Sequence, residues 1–289
     1  MPALQTDFSG LWIPLVTPFR NGEVDHPALA KLVQHYKQFA IAGLVVCGST
    51  GEAAALDDGE QLAVLTTVLA AVESTAKVAS GKPAAKLKVV MGLSGYNLPA
   101  TCAWVKTLAR FSLAGLLVPA PHYIRPPQAG LLLWFAAIAD AAAAPLVVYD
   151  IPYRTGVAIS LETLRQLARH PNIAAIKDCG GDAAKTQALV HDGDLQVLAG
   201  EDAQIFSTVA MGGVGAIAAA AHLRTAEFAA VITLLQRGEL LMARAAWAPL
   251  PAHIAAMFAE PNPVRIKAAL AGMGLIGNAL RLPMVASVA

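Results

Sequence analysis

The side chain best placed to do covalent chemistry in this chain ends an apolar run. In NIAAIKDCGG, residues 172 to 181, Lys177 follows Ile173, Ala174, Ala175 and Ile176. The run reads as a short buried strand, and lysine is among the residue types least often buried. Two readings are open. Either the stem lies along the core with its head in water, or the amine is held in a dry pocket. An ammonium removed from water sheds its proton more readily, and the neutral amine is a nucleophile. What ends the neighbouring strands decides between them.

Those strands are recognisable. Apolar, branched runs recur at 11–17, 44–48, 88–92, 115–119, 146–150, 173–177, 195–199 and 213–217. Each reads as a parallel strand buried on both faces. Segments with helical spacing lie between them. HPALAKLVQHYKQFAIAG begins after Asp25, an N-cap residue, and is expected to stop at Gly43; SLETLRQLARHPN opens on Ser160 and Thr163 and halts before Pro171. Eight alternations predict a (β/α)8 barrel over residues 1–223. Residues 224–289 are expected to form a helical extension throughout. A doubly wound sheet would also alternate, and GVGAIA fits a dinucleotide fingerprint, but its glycines fall inside the strand instead of after it.

Barrel enzymes build their sites at the C-terminal ends of the strands. The second strand here runs into GSTGE (48–52), the fourth into VPAPHYIRP with Tyr123, the fifth into YDIPYRTG with Tyr149 and Arg154, and the sixth into Lys177. Each has a structural reading: a tight turn, a core tyrosine, a solvated arginine. Taken together they suit imine chemistry. A neutral amine attacks a ketone, and the resulting iminium lets the adjacent carbon lose a proton and act as a nucleophile. Hydroxyls relay the protons. Thr50 with loop amides, or the fork of Arg154, is available to hold a carboxylate. Glu52 is read as a structural cap or ion-pair partner.

Composition excludes several other classes. The net charge of +1 leaves no basic footprint for nucleic acid or anionic membrane. Charged residues are only 14% and hydrophobic ones 56% of 289 residues, which predicts extensive burial, including subunit interfaces. Cys47, Cys102 and Cys179 form no motif and predict reduced thiols in a cytoplasm. The N-terminal MPALQTDFSG has neither the basic nor the apolar segment of a leader. The long apolar stretch 131–149 is divided by Asp140 and Pro145 and reads as helix, turn, strand. Neither an HExxH motif nor histidines four apart suggest a metal site.

GSTGE, YDIPYRTG, IKDCGGD, AGEDA followed by GGVGAIA, EPNPVRIK and LRLPM, in that order, resemble the dihydrodipicolinate synthase and N-acetylneuraminate lyase family of pyruvate-dependent class I aldolases. The likeness runs from PLVTPF (14–19) to LRLPM (280–284). It implies a barrel with a C-terminal helical extension, a homotetramer built as a dimer of dimers, and no metal or organic cofactor. It further implies that Lys177 forms a Schiff base with pyruvate and that Tyr149 is the acid and base above it. Ser49 and Tyr123 would complete a proton relay, with Tyr123 entering from the adjacent subunit. Thr50, Gly51, Gly200 and Ile217 would bind pyruvate, and Arg154 the carboxylate of a small aldehyde. PxRTG favours the synthase branch over the lyases.

Three departures accompany the resemblance. Asp150 stands where the family usually has asparagine and is expected to add negative charge near the site. Ser49 replaces a threonine common in the synthases. Ala53, Ala54, Asp58, Gln61, Thr101 and His122 replace residues of the lysine feedback site, although Asn97 is kept, so weak or absent inhibition by lysine is expected. The competing functions are another pyruvate-dependent Schiff-base aldolase or lyase, acting on a sugar acid, 4-hydroxy-2-oxoglutarate, N-acetylneuraminate or an aromatic pyruvylidene compound, and a non-catalytic 2-oxo acid sensor.

Overall fold

The computed structural model describes residues 6–74 and 86–287; residues 1–5, part of the segment scanned for a leader, lie outside them. Eight strands close into a parallel barrel: β1 Gly10–Pro14, β2 Gly43–Val46, β3 Lys88–Gly92, β4 Gly115–Pro119, β5 Leu146–Asp150, β6 Ile173–Asp178, β7 Gln196–Ala199 and β8 Gly215–Ile217. Their order around the barrel follows the chain, with β8 returning to β1. The strands are apolar and branched on both faces because every face is covered, and almost every strand residue is buried. A two-stranded antiparallel hairpin, Phe19–Arg20 with Glu23–Val24, was not foreseen. Its strands are too short to show periodicity.

Helices α1 His26–Tyr36, α2 Asp58–Glu73, α3 Leu98–Leu108, α4 Gln128–Ala141, α5 Pro152–Thr155, α6 Leu161–Leu167, α7 Ala183–Asp192 and α8 Ile205–Ala210 follow the successive strands, and α9 Thr225–Gln236, α10 Leu240–Trp247, α11 Leu250–Met257 and α12 Val264–Gly272 complete the chain. The N-caps read from sequence hold: Asp25 accepts from the Ala28 amide at 3.0 Å and Ser160 from the Thr163 amide at 3.2 Å. A full capping box at Asp57 and Glu60 starts α2. The stretch 131–149 is helix, turn and strand as expected, and among the described residues no helix is long and apolar enough to cross a membrane.

Two expectations fail. Helix α1 ends at Tyr36, well before Gly43, and the Lys37 ammonium at its C-cap turns in to donate to the carbonyls of Ala71, Val72 and Ser74 at the end of α2. Those carbonyls are the negative pole of that helix, so they attract the cation. The tail is helical only to Gly272; residues 276–287 form turns and extended chain held by Arg281, which binds Glu60 with two nitrogens and donates to Gly22 and Ala55 carbonyls. Polar anchoring of this kind leaves no periodic trace.

The chain divides into two compact units, one of residues 1–9 with 90–216 and one of residues 10–89 with 217–289.

Candidate active site

In the first unit the ladder between β5 and β6 places Tyr149 opposite Lys177 and Asp150 opposite Asp178. Side chains alternate along a strand, so each pair faces the opposite way from the other. Lys177 and Tyr149 share one face: the Lys177 Nζ lies 4.2 Å from the centre of the Tyr149 ring, and both residues are buried. Gly200, after β7, packs against the lysine stem. A β-carbon there would come within 2.9 Å of Lys177 Cγ and 2.3 Å of Cys179 Sγ, so only glycine fits. Burial pushes the Cys179 thiol well above its ordinary range and keeps it protonated, so it is no rival nucleophile.

Asp150 and Asp178 face the other way, toward α7. Asp150 pairs with Lys185 and accepts from the Ile159 amide at 3.1 Å; Asp178 accepts from Thr186 at 2.5 Å and from the Gly180 amide at 2.8 Å. Burial raises the Asp150 pKa, while Lys185 pulls it down. The expectation that Asp150 adds charge to a substrate site is therefore corrected: it is fully buried, and its charge is met by Lys185.

Four lysines are buried among the described residues, and they differ in what they touch. Lys37 donates to three carbonyls; Lys185 pairs with Asp150; Lys267 pairs with Glu52 at 2.6 Å and donates to the Thr17 carbonyl at 2.8 Å. Lys177, 6% exposed, has no carboxylate or carbonyl partner among the described residues, only the face of Tyr149.

Sequence reasoning did not single out Glu201. It follows Gly200, and its Oε1 is buried without a hydrogen-bond partner. The signal, the acidic residue of AGEDA, was present but had no stated role. Arg154 is exposed on α5, 5.9 Å from the Tyr153 ring centre, and Tyr123 is 86% exposed with a left-handed backbone, φ +75°. The structure thus packs Tyr149, Lys177 and Gly200 together and leaves Tyr123 and Arg154 facing outward.

In the second unit, β2 runs into a 3-10 turn, Ser49–Gly51. Ser49 is exposed and Thr50 buried; the Thr50 Oγ1 accepts from Asn262 Nδ2 at 2.9 Å, and the Thr17 hydroxyl donates to the Gly51 carbonyl at 2.7 Å. A β-carbon on Gly51 would meet the Leu15 carbonyl at 2.9 Å. Glu52 takes a left-handed backbone, φ +53°, and is held by Lys267 and by the Arg281 amide at 3.1 Å. Its structural reading holds. Ile217 is buried at the end of β8. No cluster of metal-binding side chains occurs among the described residues.

A parallel barrel whose sixth strand carries, next to its last residue, a buried lysine with no carboxylate partner among the described residues belongs to a recognisable class, and sequence comparison narrows it. The chain belongs to the dihydrodipicolinate synthetase family, whose model matches residues 7–288. It is 34% identical over 279 residues to 4-hydroxy-tetrahydrodipicolinate synthase 2 of Clostridium acetobutylicum, covering 96% of this chain and 94% of the relative. The structure of the 4-hydroxy-tetrahydrodipicolinate synthase from the methanotroph Methylacidiphilum fumariolicum superposes with a TM-score of 0.90 at 30% identity, covering 97% of this chain and 91% of the other. A chloride-inhibited dihydrodipicolinate synthase from Acinetobacter baumannii, complexed with pyruvate, matches with a TM-score of 0.90 at 28% identity over 97% and 94% of the two chains.

Proposed function

We propose that this chain is a 4-hydroxy-tetrahydrodipicolinate synthase that condenses pyruvate with L-aspartate 4-semialdehyde through a Schiff base on Lys177. The observation that carries this reading is that Lys177, alone among the buried lysines of the described residues, has no anion or carbonyl against it. Its neutral amine attacks the pyruvate ketone, water leaves, and the iminium draws electrons from the methyl group. Loss of a methyl proton gives an enamine, whose carbon adds to the aldehyde while the aldehyde oxygen takes up a proton. Hydrolysis or ring closure then frees the lysine.

Tyr149, stacked on the amine, is the proton donor and acceptor. Ser49 and Tyr123 extend the relay. The exposure of Tyr123 suits a residue that serves a neighbouring subunit, in a homotetramer built from dimers. Thr50, Gly51, Gly200 and Ile217 hold pyruvate, and Arg154 takes the aldehyde's carboxylate. The unpartnered Glu201 Oε1 favours an aldehyde bearing an ammonium group over a sugar acid, because a buried carboxylate oxygen needs a donor. The proposed catalytic division of the chain is residues 1–223 as barrel and 224–289 as a C-terminal extension. The reaction is assigned to the cytoplasm and needs no metal or organic cofactor. Replacement of most polar feedback positions predicts inhibition by lysine no better than millimolar.

Borohydride reduction with pyruvate present tests the central step. A pyruvate-derived mass on Lys177 with loss of activity is expected; an unmodified Lys177 ends the proposal. Coupled assays with aspartate semialdehyde, N-acetylneuraminate and 4-hydroxy-2-oxoglutarate identify the acceptor, and turnover only with the latter two excludes the synthase.

A further inference from the structure

The Thr50 hydroxyl has one proton to give, and what it accepts determines where that proton points. Thr50 is 3% exposed. Asn262, in the segment between α11 and α12, donates its Nδ2 hydrogen to Thr50 Oγ1 at 2.9 Å. A hydroxyl that accepts from an amide keeps its own O–H for another acceptor. We propose that Asn262 is a positioning residue that sets the polarity of Thr50, turning its O–H outward as a donor for the carboxylate of the keto acid.

Two observations support this. The Asn262 Oδ1 is buried without a hydrogen-bond partner, so the side chain forgoes a bond on its acceptor side while making the donor contact to Thr50. The loop that carries Thr50 is also immobilised from below. Thr17 holds the Gly51 carbonyl; Glu52 is fixed by Lys267 and the Arg281 amide; the Phe19 ring lies 4.4 Å from Lys267 Nζ and 4.6 Å from the Arg281 guanidinium. With the backbone clamped, the free variable is the direction of the Thr50 O–H bond, and Asn262 fixes it. Sequence reading placed Asn262 inside EPNPVRIK without a role.

The inference rests on the reading of Thr50 as the pyruvate carboxylate donor, and the experiment separates the two. Pyruvate trapping on Lys177 of the unaltered protein tests the function. Asn262→Asp then offers Thr50 an acceptor in place of a donor: its O–H turns to the new carboxylate, which also repels the substrate's. The KM for pyruvate should rise at least about tenfold, which corresponds to roughly 1.4 kcal/mol, while the KM for the aldehyde stays within about twofold. A loss of structure alone would move both. Asn262→Ala, which removes the donor but adds no charge, should raise the pyruvate KM less, and should have no further effect in a Thr50→Val background. Should Asn262→Asp fail to fold, the Asn262→Ala and Thr50→Val cycle decides. If trapping succeeds but Asn262→Asp leaves pyruvate KM unchanged, or Asn262→Ala and Thr50→Val effects add, the inference is overturned; if trapping fails, both readings fall together.

Discussion

Lys177 and Lys267 are both buried lysines of the same barrel protein, and their surroundings are opposite. Lys267 is fully enclosed and surrounded by compensation: a carboxylate, a carbonyl and a ring face. Burial lowers its pKa, with Glu52 opposing the shift. Lys177 has only the Tyr149 ring. A lysine fully paired within the fold is an anchor, because removing it strands a charge; a lysine with no anion or carbonyl against it is available for a reaction, because no contact of the fold is lost when its nitrogen bonds a substrate. The difference lies in the partners, since the two lysines are similarly buried.

The sharpest break of that comparison is substitution of the two in turn. Lys177→Met keeps the bulk but has no attackable amine and places no charge in the site, so turnover should fall by about a thousandfold or more and the borohydride adduct should vanish, with the melting temperature nearly unchanged. Lys267→Met should do the reverse. It strands the Glu52 carboxylate in the interior and costs about 3–5 kcal/mol in urea unfolding, part of it recovered by adding Glu52→Gln. If Lys267→Met lost the adduct while keeping its stability, the contrast between anchor and reagent would fail.

Asp150→Asn sharpens the comparison further. It brings in the residue usual in the family, yet here it leaves the Lys185 ammonium unmatched, so a stability loss of about 3 kcal/mol is expected, with recovery on adding Lys185→Met. Unfolding as stable as the parent's would show that Lys185 finds other compensation. The smallest effect is electrostatic. His222 is buried and neutral: its Nε2 accepts from the Val16 amide at 3.2 Å, its Nδ1 donates to the Ala219 carbonyl at 2.8 Å, and burial lowers its pKa to about 4. Between that value and the ordinary histidine range, the unfolded chain takes up a proton the folded chain refuses. The stabilisation is complete above the unfolded pKa and is lost as pH falls toward 4, amounting to about 2 kcal/mol between pH 7 and pH 5. Urea titrations at the two pH values measure it, and His222→Gln should remove that share of the slope.

Much of this was legible beforehand. The eight strands were readable because a strand buried on both faces is an unbroken apolar run, and β3, β4 and β5 match their expected bounds. Lys177 and Tyr149 were readable because each ends such a run. What escaped depends on partners far away in sequence. The compensation of Asp150 by Lys185 requires knowing that residues alternating along β5 point to opposite faces and that α7 covers the outer one. The unpartnered oxygen of Glu201 and the bond from Asn262 to Thr50 are facts of three-dimensional satisfaction, and no spacing rule encodes them.

The clamp on Glu52 also has a history in time. Lys267 and the Arg281 amide stand 215 and 229 residues downstream of the carboxylate they hold. While the chain is being made on a ribosome, the turn bearing Ser49 and Thr50 emerges long before its fastenings. The early half of the polypeptide therefore waits with an acid that has no cation, and this corner of the protein is locked only when these much later residues reach it.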